Sequence, residues 1–170
     1  SNHQSLFDIP AIGLVFRRSY PKFISKIELG KNLPSISYNL KHGQSALIDR
    51  ENGGQAVKEI FKLGKLIEAN NYSACIFPEG TRSKDGQVKK FMPAGVNTLL
   101  RAAPSAVIVP FVIDGHNRLM PNGKLPLMFG QTITYTVLDA VEPKEFKGDA
   151  VVENVEVAIC KALKQNRSAI

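Results

Sequence analysis

Cysteine is scarce in this chain. Cys75 and Cys160 are the only two, far apart and outside any CxxC spacing. That disfavours a disulfide scaffold or a zinc module and makes a reducing compartment the simpler setting. Long hydrophobic runs are also missing. The longest, Ala106 to Ile113, is broken by Pro110, whereas a membrane-spanning helix needs about 20 apolar residues. There is no signal peptide, no internal repeat and no linker that divides the chain. Acids are in deficit: 15 Asp and Glu face 22 Lys and Arg, a net charge of +7. Such a surplus suits a polyanionic partner, whether nucleic acid, an anionic membrane surface or a phosphorylated ligand. No recognition-helix, KH or RRM pattern accompanies it. Lys89-Lys90-Phe91 and Arg17-Arg18-Ser19-Tyr20 read as solvated faces, and no nucleic-acid partner is expected.

What is present is ordinary for a globular protein: 170 residues, 44% hydrophobic and 22% charged, with 13 Gly and 10 Pro. Disordered and collagen-like chains are excluded. One domain over residues 1–170 is expected, able to bury roughly 70% of its unfolded surface. The chain opens at Ser1 without Met or a preceding strand. A natural N-terminal segment is expected to be missing, so the lack of an anchor says nothing about the parent protein.

Hydrophobic periodicity alternates between helix and strand. Ile9–Arg18 reads as a short apolar helix, Lys22–Leu29 as a strand, and Leu33–Lys41 as ambiguous. Ser45–Asp49 is a short buried strand. Gly53–Asn70 is the strongest helix, with a stripe of Val57, Ile60, Phe61, Gly64 and Ile67. Ser73–Phe77 is a strand ended by Pro78. Pro93–Arg101 is helical with Pro in its first turn. Val107–Ile113 reads as a central strand, and Leu127–Leu138 holds one or two more. Ala150–Gln165 closes the chain as an amphipathic helix on Val152, Val155, Ile159 and Leu163. Strands separated by helices imply an α/β fold: a single domain with a largely parallel mixed sheet flanked by helices. Ligands in such sheets bind beyond the carboxyl ends of the strands. Asp49-Arg50 and Pro78-Glu79-Gly80-Thr81-Arg82 both follow strand ends.

Three constellations could carry chemistry. In Asn2-His3-Gln4-Ser5-Leu6-Phe7-Asp8, His3 and Asp8 have the residue types of a base and its orienting carboxylate. On an ideal helix their spacing turns them about 140° apart. They can pair only if His3 precedes the helix and Asp8 sits near its first turn. Ser5 to Asp8 also matches a capping box, and spacing alone leaves both roles open, with capping the commoner one. In Phe77-Pro78-Glu79-Gly80-Thr81-Arg82-Ser83, a Gly-containing turn, an Arg fork and hydroxyls could cradle a phosphate. An ordinary polar turn with a Glu79–Arg82 surface pair fits equally well, and the Walker spacing is absent. Arg50 could add a second anion contact, or simply pair with Asp49. His42 and His116 stand isolated. A metal site on His116 and Asp114 lacks a supporting cluster, so no metal is expected.

Together these blocks resemble the glycerolipid acyltransferase family, most closely the 1-acyl-sn-glycerol-3-phosphate (lysophosphatidate) acyltransferases. Its four blocks occur in order. NHxSxxD is Asn2 to Asp8, an apolar strand ending in Arg is Ala46 to Arg50, FPEGTRS is Phe77 to Ser83, and an apolar strand with Pro is Val107 to Pro110. The resemblance extends from residue 1 to about residue 135 and implies a glycerol-3-phosphate acyltransferase-like fold. It implies His3 as base and Asp8 as its orienting carboxylate. Arg50 and Arg82 would hold a phosphate, with Gly80 allowing close backbone approach and Thr81 adding a hydroxyl. Glu79 would position Arg82 or the glycerol, and Pro110 would shape the strand beside the acyl donor. Where the family often has Lys, this chain has Met92, so any anion contact there falls to Lys89 or Lys90.

The implied reaction moves an acyl group from acyl-CoA or acyl carrier protein to the free hydroxyl of lysophosphatidate, giving phosphatidate. The donor is a substrate, and no cofactor is called for. A lysophospholipid acceptor and an anionic membrane surface are the other partners, with the enzyme at the cytoplasmic face of a membrane, peripheral or held through a preceding segment. Three alternatives remain. One is acylation of glycerol 3-phosphate or another lysophospholipid, from which Ile9 in place of Pro leans mildly away for glycerol 3-phosphate. The others are a thioesterase and a non-catalytic module for anionic lipid.

Overall fold

The computed structural model describes residues 1–19, 21–30, 37–38, 40, 42–121 and 126–165. Helices are α1 (Asp8–Val15), α2 (Gly53–Asn70), α3 (Pro93–Ala102), α4 (His116–Leu119) and α5 (Ala150–Ala162). Strands are β1 (Lys22–Lys26), β2 (Ala46–Ile48), β3 (Ala74–Cys75), β4 (Phe111–Asp114) and β5 (Thr134–Val137). Packing divides the chain into two compact units. One comprises Ser1–Ala11, Phe77–Pro93 and Val107–Ile170, the other Ile12–Ile76 and Ala94–Ala106. Among the described residues no helix is long and apolar enough to cross a membrane.

The second unit carries a parallel sheet in the order β2-β1-β3, with Ile24 opposite Ala46 and Phe23 opposite Cys75. Its core gathers Ala46, Ile60, Leu63, Ile67, Leu99 and Ala103. Helix α2 forms where expected because both ends are capped. The Asn52 side chain accepts the Gln55 amide, and Asn71 takes a left-handed φ of 53° while its amide donates to Ile67. Its buried stripe is Ile60, Leu63, Gly64 and Ile67. Val57, assigned to that stripe from the sequence, is exposed. The stripe therefore starts one turn later and includes Leu63. Gly64 makes a close helix contact: a Cβ there would meet the Ala102 Cβ at 2.4 Å and the Leu99 carbonyl at 3.0 Å. Gly64→Ala should overpack this contact and destabilise the protein by about 1–3 kcal/mol. Urea unfolding measures it, and an unchanged midpoint would disprove the tight contact.

The first unit holds the antiparallel pair β4-β5, with Phe111 opposite Val137 and Ile113 opposite Tyr135. Helix α5 buries Val151, Val152, Val155 and Ile159. The α/β class and the helix-flanked parallel sheet are as expected, with the antiparallel ladder as a separate sheet. Val107–Ile113 departs from expectation. It is no central strand: the regular strand begins only at Phe111, and β5 is its ladder partner among the described residues. Pro110 has no amide to donate, and its carbonyl accepts from Leu138 at 3.0 Å. Before it, Ile108 makes an isolated bridge with Val141, while Val107 and Val109 are exposed. Phe111, Val112 and Ile113 are all buried, so the end of the run is covered on both faces as its composition suggests. Ile27–Leu29, expected as the end of a strand, belongs to a 3-10 turn over Ile27–Gly30. The Leu33–Lys41 segment lies mostly outside the described residues.

Candidate active site

The site is built on the N-terminal segment, which is tied down by side chains standing in for backbone. The Asn2 amide donates to the Ile113 carbonyl at 2.8 Å and accepts from the Ile113 amide at 2.9 Å. It pairs with β4 as a strand residue would. The Gln4 side-chain oxygen accepts the His116 amide at 3.1 Å. Between them, the His3 backbone is held at both ends. Its amide donates to Glu79 Oε1 at 2.7 Å, and its carbonyl accepts from the Ser83 amide at 2.7 Å. The His3 ring stacks on Phe77, with centroids 4.0 Å apart and planes 18° from parallel. That leaves the imidazole little freedom.

Asp8 opens α1, and His3 precedes it, which is the arrangement their pairing requires. His3 Nδ1 lies 2.7 Å from Asp8 Oδ2. The same oxygen accepts the amides of Gln4 at 2.6 Å and Ser5 at 3.0 Å. The Ser5 hydroxyl takes the Phe7 amide at 3.4 Å. The capping box and the His–Asp pair therefore coexist: one carboxylate serves both roles. Asp8 is fully buried. Burial alone would raise its pKa, but hydrogen bonds from His116, His3 and the Ser5 amide outweigh it and hold the carboxyl below its ordinary range. An ionised Asp8 only accepts, so the Nδ1 facing it bears a proton, and the neutral form of the His3 ring has its lone pair on Nε2.

Glu79 is buried, and the surface pair with Arg82 considered from the sequence does not form. Its two oxygens accept the amides of His3 and Lys89, at 2.7 Å and 3.0 Å. Burial pushes its carboxyl up from 4.5 to about 7, against the pull of those amides and of the Lys89 charge. Gly80 has a left-handed φ of 70°, and the end of the Met92 side chain lies where its Cβ would stand. Thr81 and Arg82 are exposed. Lys89 Nζ donates to the Arg82 carbonyl at 3.1 Å, which pins that backbone while the guanidinium stays at the surface.

Pro110 is fully buried in the same unit. Arg50 belongs to the sheet-bearing unit. It follows β2 and is exposed, and Asp49 accepts the Glu51 amide at 3.0 Å. Sequence reasoning missed His116. It is buried, not isolated: Nδ1 lies 2.5 Å from Asp8 Oδ1, and Nε2 lies 2.8 Å from the Tyr135 hydroxyl. Asp114, its imagined co-ligand, pairs with Arg118 at 3.1 Å. Among the described residues no group of three or more His, Cys, Asp or Glu could hold a metal ion. The one available signal was a histidine just beyond an apolar strand, the place where α/β folds put functional groups.

The Acyltransferase family matches residues 1–114. The 1-acyl-sn-glycerol-3-phosphate acyltransferase of Cocos nucifera is 32% identical over 114 residues, covering 67% of this chain and 36% of that protein. The protein of the same name from Chlamydomonas reinhardtii is 27% identical over 164 residues, 96% of this chain and 47% of the relative. The crystal structure of the 1-acyl-sn-glycerophosphate (LPA) acyltransferase PlsC from Thermotoga maritima superimposes with a TM-score of 0.72 at 27% identity. It covers 99% of this chain and 66% of that one. The chain thus spans about a third to a half of those two curated relatives. With a matched family region that runs from the buried Asn2 through the His3–Asp8 pair to the end of β4, the chain belongs to the Acyltransferase family.

Proposed function

We propose that this protein transfers a fatty acyl group from a thioester to the free hydroxyl of lysophosphatidate. One observation carries the proposal: His3 Nδ1 lies 2.7 Å from the buried Asp8 carboxylate, whose lowered pKa keeps it an acceptor, and this pairing makes Nε2 the base. A lipid alcohol is a weak nucleophile until its proton is removed. Nε2 takes that proton while the alcohol oxygen attacks the thioester carbonyl. Asp8 stabilises the imidazolium that forms. When the tetrahedral intermediate collapses, the carbon–sulfur bond breaks and His3 returns the proton to the departing thiolate. The products are phosphatidate and the free thiol of CoA or carrier protein, and no cofactor enters.

Arg82 and Thr81, exposed on the turn, are assigned to the acceptor phosphate, and Arg50 is assigned to an anion contact in its own unit. Gly80 makes the left-handed turn that carries Thr81 and Arg82, and Pro110 is assigned to the acyl-donor side. Glu79 acts on His3, through its backbone amide. The +7 charge suits work at an anionic membrane surface, proposed to be the cytoplasmic face.

The test is thiol release from acyl-CoA over vesicles with and without lysophosphatidate, with the lipid product identified by mass. Acceptor-dependent release that yields phosphatidate supports the proposal. Release without acceptor would replace it with a hydrolase, and release only with another acceptor would reassign the substrate. In the same assay Arg82→Ala should raise KM for the acceptor about tenfold or more, the value of a charge-assisted contact, with little change for the donor. Equal effects on both KM values would remove Arg82 from the phosphate.

A further inference from the structure

The His3–Asp8 pair accounts for one carboxylate oxygen, and the structure spends a second histidine on the other. Oδ2 of Asp8 takes His3 Nδ1 and the Gln4 and Ser5 amides, while Oδ1 takes His116 Nδ1. The Asp8 and His116 side chains are 0% and 2% exposed. His116 is itself held firmly. Its amide donates to Gln4, and Gly115 before it has a φ of 103°, with the Thr132 carbonyl 2.4 Å from where a Cβ would stand. The Tyr135 hydroxyl faces its Nε2 from β5, on the residue paired with Ile113.

The directions of these hydrogen bonds follow from chemistry. An ionised carboxylate only accepts, so both imidazoles present Nδ1–H to Asp8. His116 Nε2 faces the Tyr135 hydroxyl at 2.8 Å, a group that can donate to it or accept from it. The chain runs from Tyr135 through His116 to Asp8 and meets His3 there from the opposite side. No step of the acyl transfer uses His116, because the proton taken by His3 leaves on the thiolate. Yet a buried Oδ1 without a donor would keep the full desolvation penalty of an unpaired charged oxygen. The carboxyl would relieve this by rotating or by binding a proton, and either response frees His3 to adopt the wrong tautomer.

We infer that His116 is a positioning residue: its Nδ1–H anchors Asp8 Oδ1 so that Oδ2 stays aimed at His3, and Tyr135 holds the far end of its ring. The inference rests on the acyl-transfer proposal for its kinetic consequence and on the hydrogen-bond geometry alone for its structural one.

Three variants test it: His116→Leu, His116→Asn and Tyr135→Phe. Leu fills the volume but donates nothing, whereas the Asn amide nitrogen replaces Nδ1–H. His116→Leu should lower kcat about tenfold to a hundredfold, a part of what base catalysis supplies, with both KM values within about twofold. His116→Asn should recover most of that loss, and Tyr135→Phe should fall between. A packing role predicts the reverse order, with Leu tolerated and Asn not, and that order would overturn the inference. Proton NMR of the folded chain gives a readout independent of turnover. The downfield His3 Nδ1–H resonance should persist in His116→Asn and disappear in His116→Leu. Its persistence in His116→Leu would overturn the inference. If the wild-type chain transfers no acyl group, the functional proposal falls, while this resonance still decides the role of His116.

Discussion

Replacing His3 with alanine should lower kcat for thiol release by about three orders of magnitude, within the 10²–10⁴ that a positioned general base supplies. Vesicle binding should persist, because the basic residues remain. Asp8→Asn should cost nearly as much for a different reason. Oδ2 accepts from three donors and Oδ1 from a fourth. An amide offers one oxygen and turns an NH₂ toward donors, so one contact becomes donor against donor. His3 can escape by moving its proton to Nε2, which removes the lone pair that deprotonates the alcohol. The double variant should therefore be little slower than either single one, since the two residues act as a unit. Additive losses would show that Asp8 serves only as a helix cap, and substantial turnover by His3→Ala would remove the base altogether.

Glu79 should make stability depend on pH in the opposite sense from a paired carboxylate. Its pKa rises from 4.5 to about 7, with burial the dominant cause. Between those values the folded protein keeps a proton that the unfolded chain releases. The unfolded state binds fewer protons, so stability falls as pH rises through this window, by up to about 3 kcal/mol for the whole shift. Asp8 has the opposite sign: its lowered pKa contributes stability above its unfolded value, which is lost as pH falls through the folded one, so it acts in a more acidic window. Urea unfolding from pH 4.5 to 7.5 should show the decline in wild type and a flatter profile in Glu79→Gln. An equal slope in both would contradict the assignment. Glu79→Ala should also be destabilised, because the His3 and Lys89 amides lose their acceptor, at about 1–3 kcal/mol each if they stay buried. Its kcat should fall further than its stability alone predicts, since one of those amides holds the proposed base.

Local sequence carried the helices well. Gly53–Asn70 was readable from its repeating apolar stripe, and the structure adds why it ends where it does, with Asn52 and Asn71 as caps. Short strands were harder. The Val107–Ile113 run has the composition of one long central strand, and only the tertiary structure shows that its regular part begins at Phe111, after Pro110 and the isolated bridge at Ile108. The two roles left open for Asp8 could not be separated by spacing because they are not exclusive.

By itself the sequence determined the chemical inventory: a histidine and a carboxylate at an interval that a helix start can bring together, a turn rich in amides and hydroxyls, and a surplus of positive charge. Tertiary structure alone decided what those groups face. Glu79 reaches the His3 amide across 76 positions, and His116 reaches Asp8 across 108. Periodicity and capping act over a few residues, so they leave a record in local sequence. A hydrogen bond closed across the fold leaves none, and its partners become visible only when the chain has brought them into one buried space.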